Sequence, residues 1–257
     1  MRLGICSDVH GNPVALDAVV ADGREQGVEA WWVLGDLAAI GPDPVATLER
    51  IANLPGLVAT AGNTERYVLT GDRPVPSRED AVADPALLDV LLQVESSFSW
   101  TQGALAQGGW LGWLADLPLD ARTVLPDGTR LLGVHASPGR DDGGGIQPDV
   151  PDDVLAERMA GAEADIVVAG HTHRPTDRRA GTVRAVNDGS VSNPITTDLR
   201  ASYVIVHADR HGHRVEHRRV AYDHDAVIRR LQEVGHPAGA FVVTHLRGER
   251  GRHPTVL

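Results

Sequence analysis

The sequence predicts an α/β protein, on three observations. Leu3–Cys6, Ala30–Leu34 and Asp165–Ala169 are nearly unbroken apolar runs of strand length, the pattern of strands buried on both faces in a parallel sheet. Segments of helical periodicity separate them. Strand after strand then ends on a polar residue, which in open α/β sheets is where ligands gather.

The first strand gives way to Ser7-Asp8-Val9-His10-Gly11-Asn12-Pro13. Asp8 and His10 stand two apart, so on an extended backbone both side chains would leave one face and converge on one ion. Gly11-Asn12-Pro13 turns the chain, with Asn12 suited to cap a helix and Pro13 to its first position. Val14, Leu16, Ala18, Val19 and Ala21 make residues 13–26 a crossover helix, ended by Gly27. Ala30–Leu34, the second strand, ends in Gly35-Asp36; after the Gly41–Pro44 loop, residues 45–52 are a short helix. Leu57–Thr60 is a third strand, ending in Gly62-Asn63.

Residues 64–128 interrupt the alternation as a helical insertion. Pro74, Pro76, Asp84 and Pro85 mark loops and a helix start, and Ala86–Val94 is Leu-rich with helical spacing. Trp110, Trp113, Leu114 and Leu117 follow at i, i+3, i+4 and i+7 before Pro118. That stripe reads either as a lid or, since nothing polar interleaves it, as the face that packs the insertion on the core.

The alternation resumes with Thr129–Val134, a strand ending at His135, and with a helix over Pro151–Ala160. Asp165–Ala169 then ends in Gly170-His171-Thr172-His173, which repeats the two-residue spacing of Asp8 and His10. Ala201–Val206 and Val215–Val220 read as an antiparallel hairpin turning near 209–212 and closing a second sheet, and Val227, Ile228, Leu231 and Val234 mark a last helix. Eight further histidines, His207 to His253, read better as solvated strand faces than as a metal store. Residues 248–257 read as a loose tail.

With 257 residues, 42% of them hydrophobic, the chain is expected to form one domain over residues 1–257. No apolar run reaches membrane-spanning length and Met1-Arg2-Leu3 enters a strand at once, so a cytoplasmic location is expected. The single Cys6, inside the first apolar run, reads as a core residue. A net charge of −11 argues against an extended nucleic-acid partner.

Asp8, His10, Asp36, Asn63, His135, His171 and His173 thus supply four imidazoles, two carboxylates and an amide at strand ends. Mixed nitrogen and oxygen donors suit Mn, Fe, Zn or Ni better than Ca or Mg. Seven ligands are too many for one ion. Two divalent ions sharing Asp36, about 3.5 to 4 Å apart, would use them all and leave about two positive charges for a phosphate.

In these residues the chain resembles the calcineurin-like metallophosphoesterases, in particular their small bacterial phosphodiesterase branch. The likeness runs in order through Asp8-Val9-His10, Gly35-Asp36, Gly62-Asn63, Val134-His135 and Gly170-His171-Thr172-His173, with Gly189-Ser190-Val191 and Asn193-Pro194 beyond. The resemblance implies a four-layer sandwich of two mixed β-sheets flanked by helices. It implies that Asp8, His10 and His173 hold one metal, Asn63, His135 and His171 the other, and Asp36 both, with Mn favoured. Asp36, Asn63 and His135 would be the catalytic group. The implied reaction is hydrolysis of a small nucleotide-like phosphodiester by a metal-bridging hydroxide. Asn63, with Arg66, Arg140 and Arg174 next to the motifs, would bind its phosphate.

One position departs from the pattern. Many relatives carry a His after Gly-Asn, thought to protonate the leaving oxygen, where this chain has Thr64 followed by Glu65 and Arg66. Acid assistance worth roughly 10² to 10⁴ would then be missing, favouring substrates with good leaving groups. The rival readings are a catalytically weak scaffold, as in the retromer subunit of this fold, and a phosphomonoesterase or protein phosphatase. The complete ligand set favours the phosphodiesterase.

Overall fold

The apolar runs build two mixed five-stranded sheets that stack face to face, with helices on both outer sides. The computed structural model describes residues 1–249; positions 250–257 of the expected tail, with His253, lie outside the described residues. Along the chain come β1 (Arg2–Cys6), α1 (Pro13–Glu25), β2 (Ala30–Leu34), α2 (Pro44–Ala52), β3 (Val58–Thr60), α3 (Asn63–Thr70), α4 (Arg78–Ala83) and α5 (Leu88–Gln107). Then follow α6 (Leu111–Ala115), β4 (Asp120–Val124), β5 (Arg130–Val134), α7 (Asp152–Arg158), β6 (Ile166–Ala169), β7 (Thr176–Ala180) and β8 (Val183–Asn187). The chain continues through β9 (Ala201–Asp209), β10 (Gly212–Val220), α8 (His224–Glu233) and α9 (Gly239–Leu246).

The first sheet has the order β10-β9-β1-β2-β3 and the second β4-β5-β6-β8-β7. Strand alternation sorts the apolar side chains into three cores. Trp31, Val33, Tyr203 and Ile205 face the helices over the first sheet. Trp32, Leu34, Val204, Val206, Leu131, Ile166 and Val168 fill the space between the sheets. Leu132, Val134, Val167 and Ala169 pack against Leu155 and Met159 on the far side. Each fully buried Val, Leu, Ile or Met among them contributes about 1.5–3 kcal/mol. Strands with core on both faces have no polar side to show, which is why their runs are continuous.

Helix α1 starts as its sequence dictates. The Asn12 side chain accepts from the Ala15 amide at 3.1 Å, and Pro13 takes the first turn. Ala15, Leu16 and Val19 then bury its inner face.

Three expectations are corrected. The β9–β10 hairpin does not close the second sheet: β9 pairs antiparallel with β1, Leu3 opposite Val206, and so extends the first. An apolar strand reveals its burial but not which neighbour it hydrogen-bonds. The second sheet is completed by a hairpin that the sequence hid, β7–β8, because the edge strand Thr176–Ala180 is mostly polar and buries only its two ends. The helical stretch is also shorter than 64–128. It spans α3 to α6, and Asp120–Val124 is strand β4 on the edge of the second sheet.

The Trp110 stripe packs on the helical core, with Leu114 1% exposed and the Trp110 and Trp113 rings edge to face. Its packing role is the one observed. Of the later histidines, His213 bonds Asp127, His207 bonds Glu216 and His217 reaches the Asn187 carbonyl. Among the described residues none of them joins a cluster able to hold a metal. No described helix is long and apolar enough to cross a membrane.

One tie between α1 and the hairpin sets an acid sensitivity. Tyr203 and Arg218 both donate to Asp22. Burial raises the Asp22 carboxyl, but these donors and the Arg218 charge outweigh it and hold it below its ordinary value. The bonus is therefore complete above the unfolded pKa of about 3.9 and is lost as pH falls through the folded one. Asp22→Asn should lower stability at pH 7 and flatten its fall below about pH 4, as read by urea unfolding at several pH values. A parallel fall in both proteins would contradict this.

Candidate metal centre

All seven side chains expected at strand ends converge in one buried cluster. Asp8 and His10 follow β1, Asp36 follows β2, Asn63 opens α3 just after β3, His135 follows β5, and His171 and His173 follow β6. The His10 and His173 Nε2 atoms lie 3.3 Å apart, with Asp8 Oδ1 3.0 Å from His173 and 3.8 Å from His10. Asp36 links the halves: its Oδ2 is 3.8 Å from His10 Nε2 and its Oδ1 3.3 Å from His135 Nε2. Asn63 Oδ1 completes the group at 3.0 Å from both His135 Nε2 and His171 Nδ1. Asp8, His10 and His173, and separately Asp8, Asp36 and His135, are close enough to share an ion.

The convergence does not come from extended backbone, as the two-residue spacings implied. Asp8, His10, Asp36, His171 and His173 have φ of 55°, 48°, 56°, 65° and 54°. Strand alternation has already ended at these positions, and a left-handed turn aims each side chain inward. Such conformations cost about 1–3 kcal/mol each outside glycine. Only two other non-glycine residues among those described have positive φ, so the strain is concentrated in this cluster.

The donor set fits a cation. The outer ring nitrogens are committed to backbone carbonyls: His135 Nδ1–H to Leu34, His171 Nε2–H to Gly143 and His173 Nδ1–H to Asn193. Fixed in that way, the rings turn their remaining nitrogens inward. His135 Nε2 and His171 Nδ1 then both face the Asn63 carbonyl oxygen at 3.0 Å, a set of nitrogen and oxygen donors that a positive ion can share.

Residues around the cluster hold it in place. Thr64, buried, donates from its amide and its hydroxyl to Asp36 Oδ1 at 3.0 and 2.9 Å. Glu65, also buried, accepts from the amides of Asp36, Gly62 and Leu37 at 2.8, 2.8 and 2.9 Å. Sequence reasoning missed the Glu65 role; the available signal was a Glu at the third helical position, which reaches back to the Gly62 amide as the acidic half of a capping box does. It also missed Asp188. The Ser7 hydroxyl lies within hydrogen-bond distance of both Asp8 Oδ2 and Asp188 Oδ1, yet has one proton for two carboxyls. Burial and the Asp8 charge push the Asp188 carboxyl well above the usual carboxylate range, and the Ser7 hydroxyl links it to Asp8. The Gly189–Asn193 segment clamps the same loop: Ser192 donates its amide to the Asp8 carbonyl at 3.1 Å and Val191 to that of Ser7 at 3.1 Å.

Burial also dominates the charges. It pushes Asp36 up to about 7, Asp8 adding to the shift and the Thr64 bonds opposing it. It pushes Glu65 up to about 7, with the Asp36 charge adding and the backbone amides opposing. Burial would raise Asp8 too, but the adjacent His173, with His135 and His10, holds it well below the usual carboxylate range. Burial and His173 push His10 down to about 3, which leaves its ring neutral at pH 7. Burial and His135 lower His171. For His173 burial works downward, but Asp8 prevails and its proton affinity rises.

The arginines stand differently. Arg66 is held by Asp141, Asp142 and Asp72, and Arg174 by Asp149, so a phosphate would have to displace carboxylates to reach either. Arg140 is exposed.

Close packing makes one substitution informative. A Cβ on Gly170 would collide with Ser7 Oγ and Asp8 Oδ2. Gly170→Ala should cost about 1–3 kcal/mol and weaken Mn²⁺ binding roughly 10-fold or more by displacing Asp8. Chemical denaturation and calorimetric titration would read these; unchanged affinity would contradict the placement.

A two-sheet α/β sandwich with imidazoles, carboxylates and an amide clustered at its strand ends is the architecture of a metallophosphoesterase. The chain belongs to the calcineurin-like phosphoesterase superfamily, whose domain profile matches residues 1–211. It is 26% identical over 239 residues to the uncharacterized protein MJ0912 of Methanocaldococcus jannaschii, covering 86% of this chain and 88% of that one. Among solved structures, a metallophosphoesterase from Sphaerobacter thermophilus superposes with a TM-score of 0.73 at 27% identity, covering 96% of this chain and 98% of that one. The hypothetical protein PH1004 from Pyrococcus horikoshii shares the fold, with a TM-score of 0.77 at 22% identity and coverages of 95% and 97%.

Proposed function

We propose that this protein is a two-metal phosphodiesterase acting on a small, nucleotide-like ester. The observation that carries the reading is the convergence of His135 Nε2 and His171 Nδ1 on Asn63 Oδ1 at 3.0 Å, beside Asp36 and with their outer ring nitrogens on backbone carbonyls. Asp8, His10 and His173 would hold one ion, Asn63, His135 and His171 the second, and Asp36 both. Mn²⁺ is the favoured metal, with Fe, Zn and Ni compatible with the same donors. When bound, such ions ionise water near neutral pH and neutralise charge on phosphoryl oxygens. The protein's part is placement. Leu34, Gly143 and Asn193 fix the rings, Thr64 and Glu65 fix Asp36, and the Asn63 amide and His135 would face a bound phosphoryl group. A binding scaffold would gain nothing from five strained donors.

Thr64 spends its hydroxyl on Asp36. It is thus a positioning residue, and no acid stands where many relatives carry histidine. Good leaving groups should be favoured. The net charge of −11 supports a small substrate over extended nucleic acid.

The test is Mn²⁺-reconstituted hydrolysis of aryl phosphodiesters of graded leaving-group pKa, with matched monoesters. Expected are loss of activity with chelator, diesters faster than monoesters, and kcat/KM falling several-fold for each unit rise in leaving-group pKa. Cleavage of monoesters alone would overturn the diesterase reading, and a flat leaving-group dependence would overturn the missing acid.

A further inference from the structure

A cavity of about 50 Å³ opens beside the metal centre, between α3, α5, α9 and the loop after β2. Its near end is Asn63 and Thr64, and its walls are Ile40, Val94, Phe98 and Phe241. No charged side chain lines it. Asn63 and Thr64 are the residues that touch His135 and Asp36, so a group entering the cavity lies one side chain from the donor cluster.

We infer that this cavity receives a slender apolar arm of the phosphoester, an unbranched alkyl group of a few carbons. The inference rests on the phosphodiesterase reading and specifies one of the two ester arms. Three observations carry it. First, apolar walls without a cation or anion reward desolvation of hydrocarbon and penalise burial of a charge, such as a second phosphate. Second, the volume of about 50 Å³ lies above the roughly 10–15 Å³ that one water needs and at about a third of the roughly 150 Å³ that accepts benzene, which favours a chain over a ring. Third, Ile40 enters the wall at φ 84°, a conformation that β-branched residues avoid. Strain of that kind persists where surrounding contacts over-determine it, and here it presents an apolar side chain to the cavity.

The experiment compares 4-nitrophenyl esters that share one leaving group and differ in the other arm: methyl, butyl and the cationic choline. The inference expects kcat/KM for the butyl ester to exceed that for the methyl ester by about 10- to 50-fold, and the choline ester to fall at or below the methyl one. Val90→Trp and Gln93→Trp, on the α5 side of the cavity, should remove the butyl advantage and leave the methyl rate unchanged. Calorimetric titration of the purified protein with butyl phosphate and methyl phosphate reads the cavity without turnover, and at least tenfold tighter butyl binding is expected. Butyl and methyl values within twofold in both measurements would overturn the inference. Absence of Mn²⁺-dependent turnover of every ester, with the butyl binding preference intact, would instead defeat the proposed activity and leave the cavity assignment standing.

Discussion

Replacing Asp36 by Asn is expected to abolish metal-dependent hydrolysis while leaving the metal-free protein as stable as the wild type, or more so. The substitution is nearly isosteric, and the amide oxygen can still accept the Thr64 amide and hydroxyl that now hold Asp36 Oδ1 at 3.0 and 2.9 Å. What it removes is a charge. Burial already pushes Asp36 up to about 7, and the same charge is the second cause of the upward shift of Glu65. Neutralising it relieves a buried cluster of carboxylates, so melting in chelator should be unchanged or a few degrees higher, about 2–4 °C. The carboxylate both ions are proposed to share would be gone, and kcat/KM should drop by about 10³ or more, about 4 kcal/mol. Melting curves with and without Mn²⁺ separate the effects, since the metal raises the melting temperature only of a protein that binds it. A variant that Mn²⁺ stabilises as strongly as it does the wild type would remove Asp36 from the ligand set, and one that melts lower in chelator would contradict the relief of buried charge.

Glu65→Gln is the second large effect, and it acts through the backbone. Two carboxylate oxygens serve three amides, Oε2 those of Asp36 and Gly62 and Oε1 that of Leu37. Glutamine has one carbonyl oxygen, so its NH₂ must face at least one backbone N–H and leave that donor unsatisfied. Each buried unsatisfied donor costs about 1–3 kcal/mol. Because one lost bond is that of the Asp36 loop itself, Mn²⁺ affinity should fall about 10- to 100-fold as well. Urea unfolding and metal titration check the two halves. Stability within 0.5 kcal/mol, roughly the ordinary scatter of surface substitutions, together with unchanged affinity, would show that Glu65 is only a helix cap.

Much of this was legible in the chain, for a physical reason. A strand buried on both faces has to be apolar throughout, so the polar residue at which each run stops marks both the strand end and the candidate ligand. That logic located Asp8, His10, Asp36, Asn63, His135, His171 and His173. The means of convergence were not legible: spacing implied extended backbone, whereas Asp8, His10, His171 and His173 sit in left-handed turns, which residue type alone does not announce. Thr64 read as the place of a missing histidine and turned out to anchor Asp36. Glu65 and Asp188 were not singled out in the sequence, since buried carboxylates are rare, and the surrounding amides and Ser7 explain their burial. Sheet membership of the β9–β10 hairpin depends on a partner far away in sequence, and the polar edge strand β7 carries too little apolar signal to stand out.

The central claim is that these seven side chains hold two ions around Asp36. Anomalous diffraction from Mn²⁺-soaked crystals tests it most directly. The account predicts two peaks about 3.5–4 Å apart, one among Asp8, His10 and His173, the other among Asn63, His135 and His171, both within coordination distance of the Asp36 carboxylate. A single peak, or density only away from these residues, would contradict it.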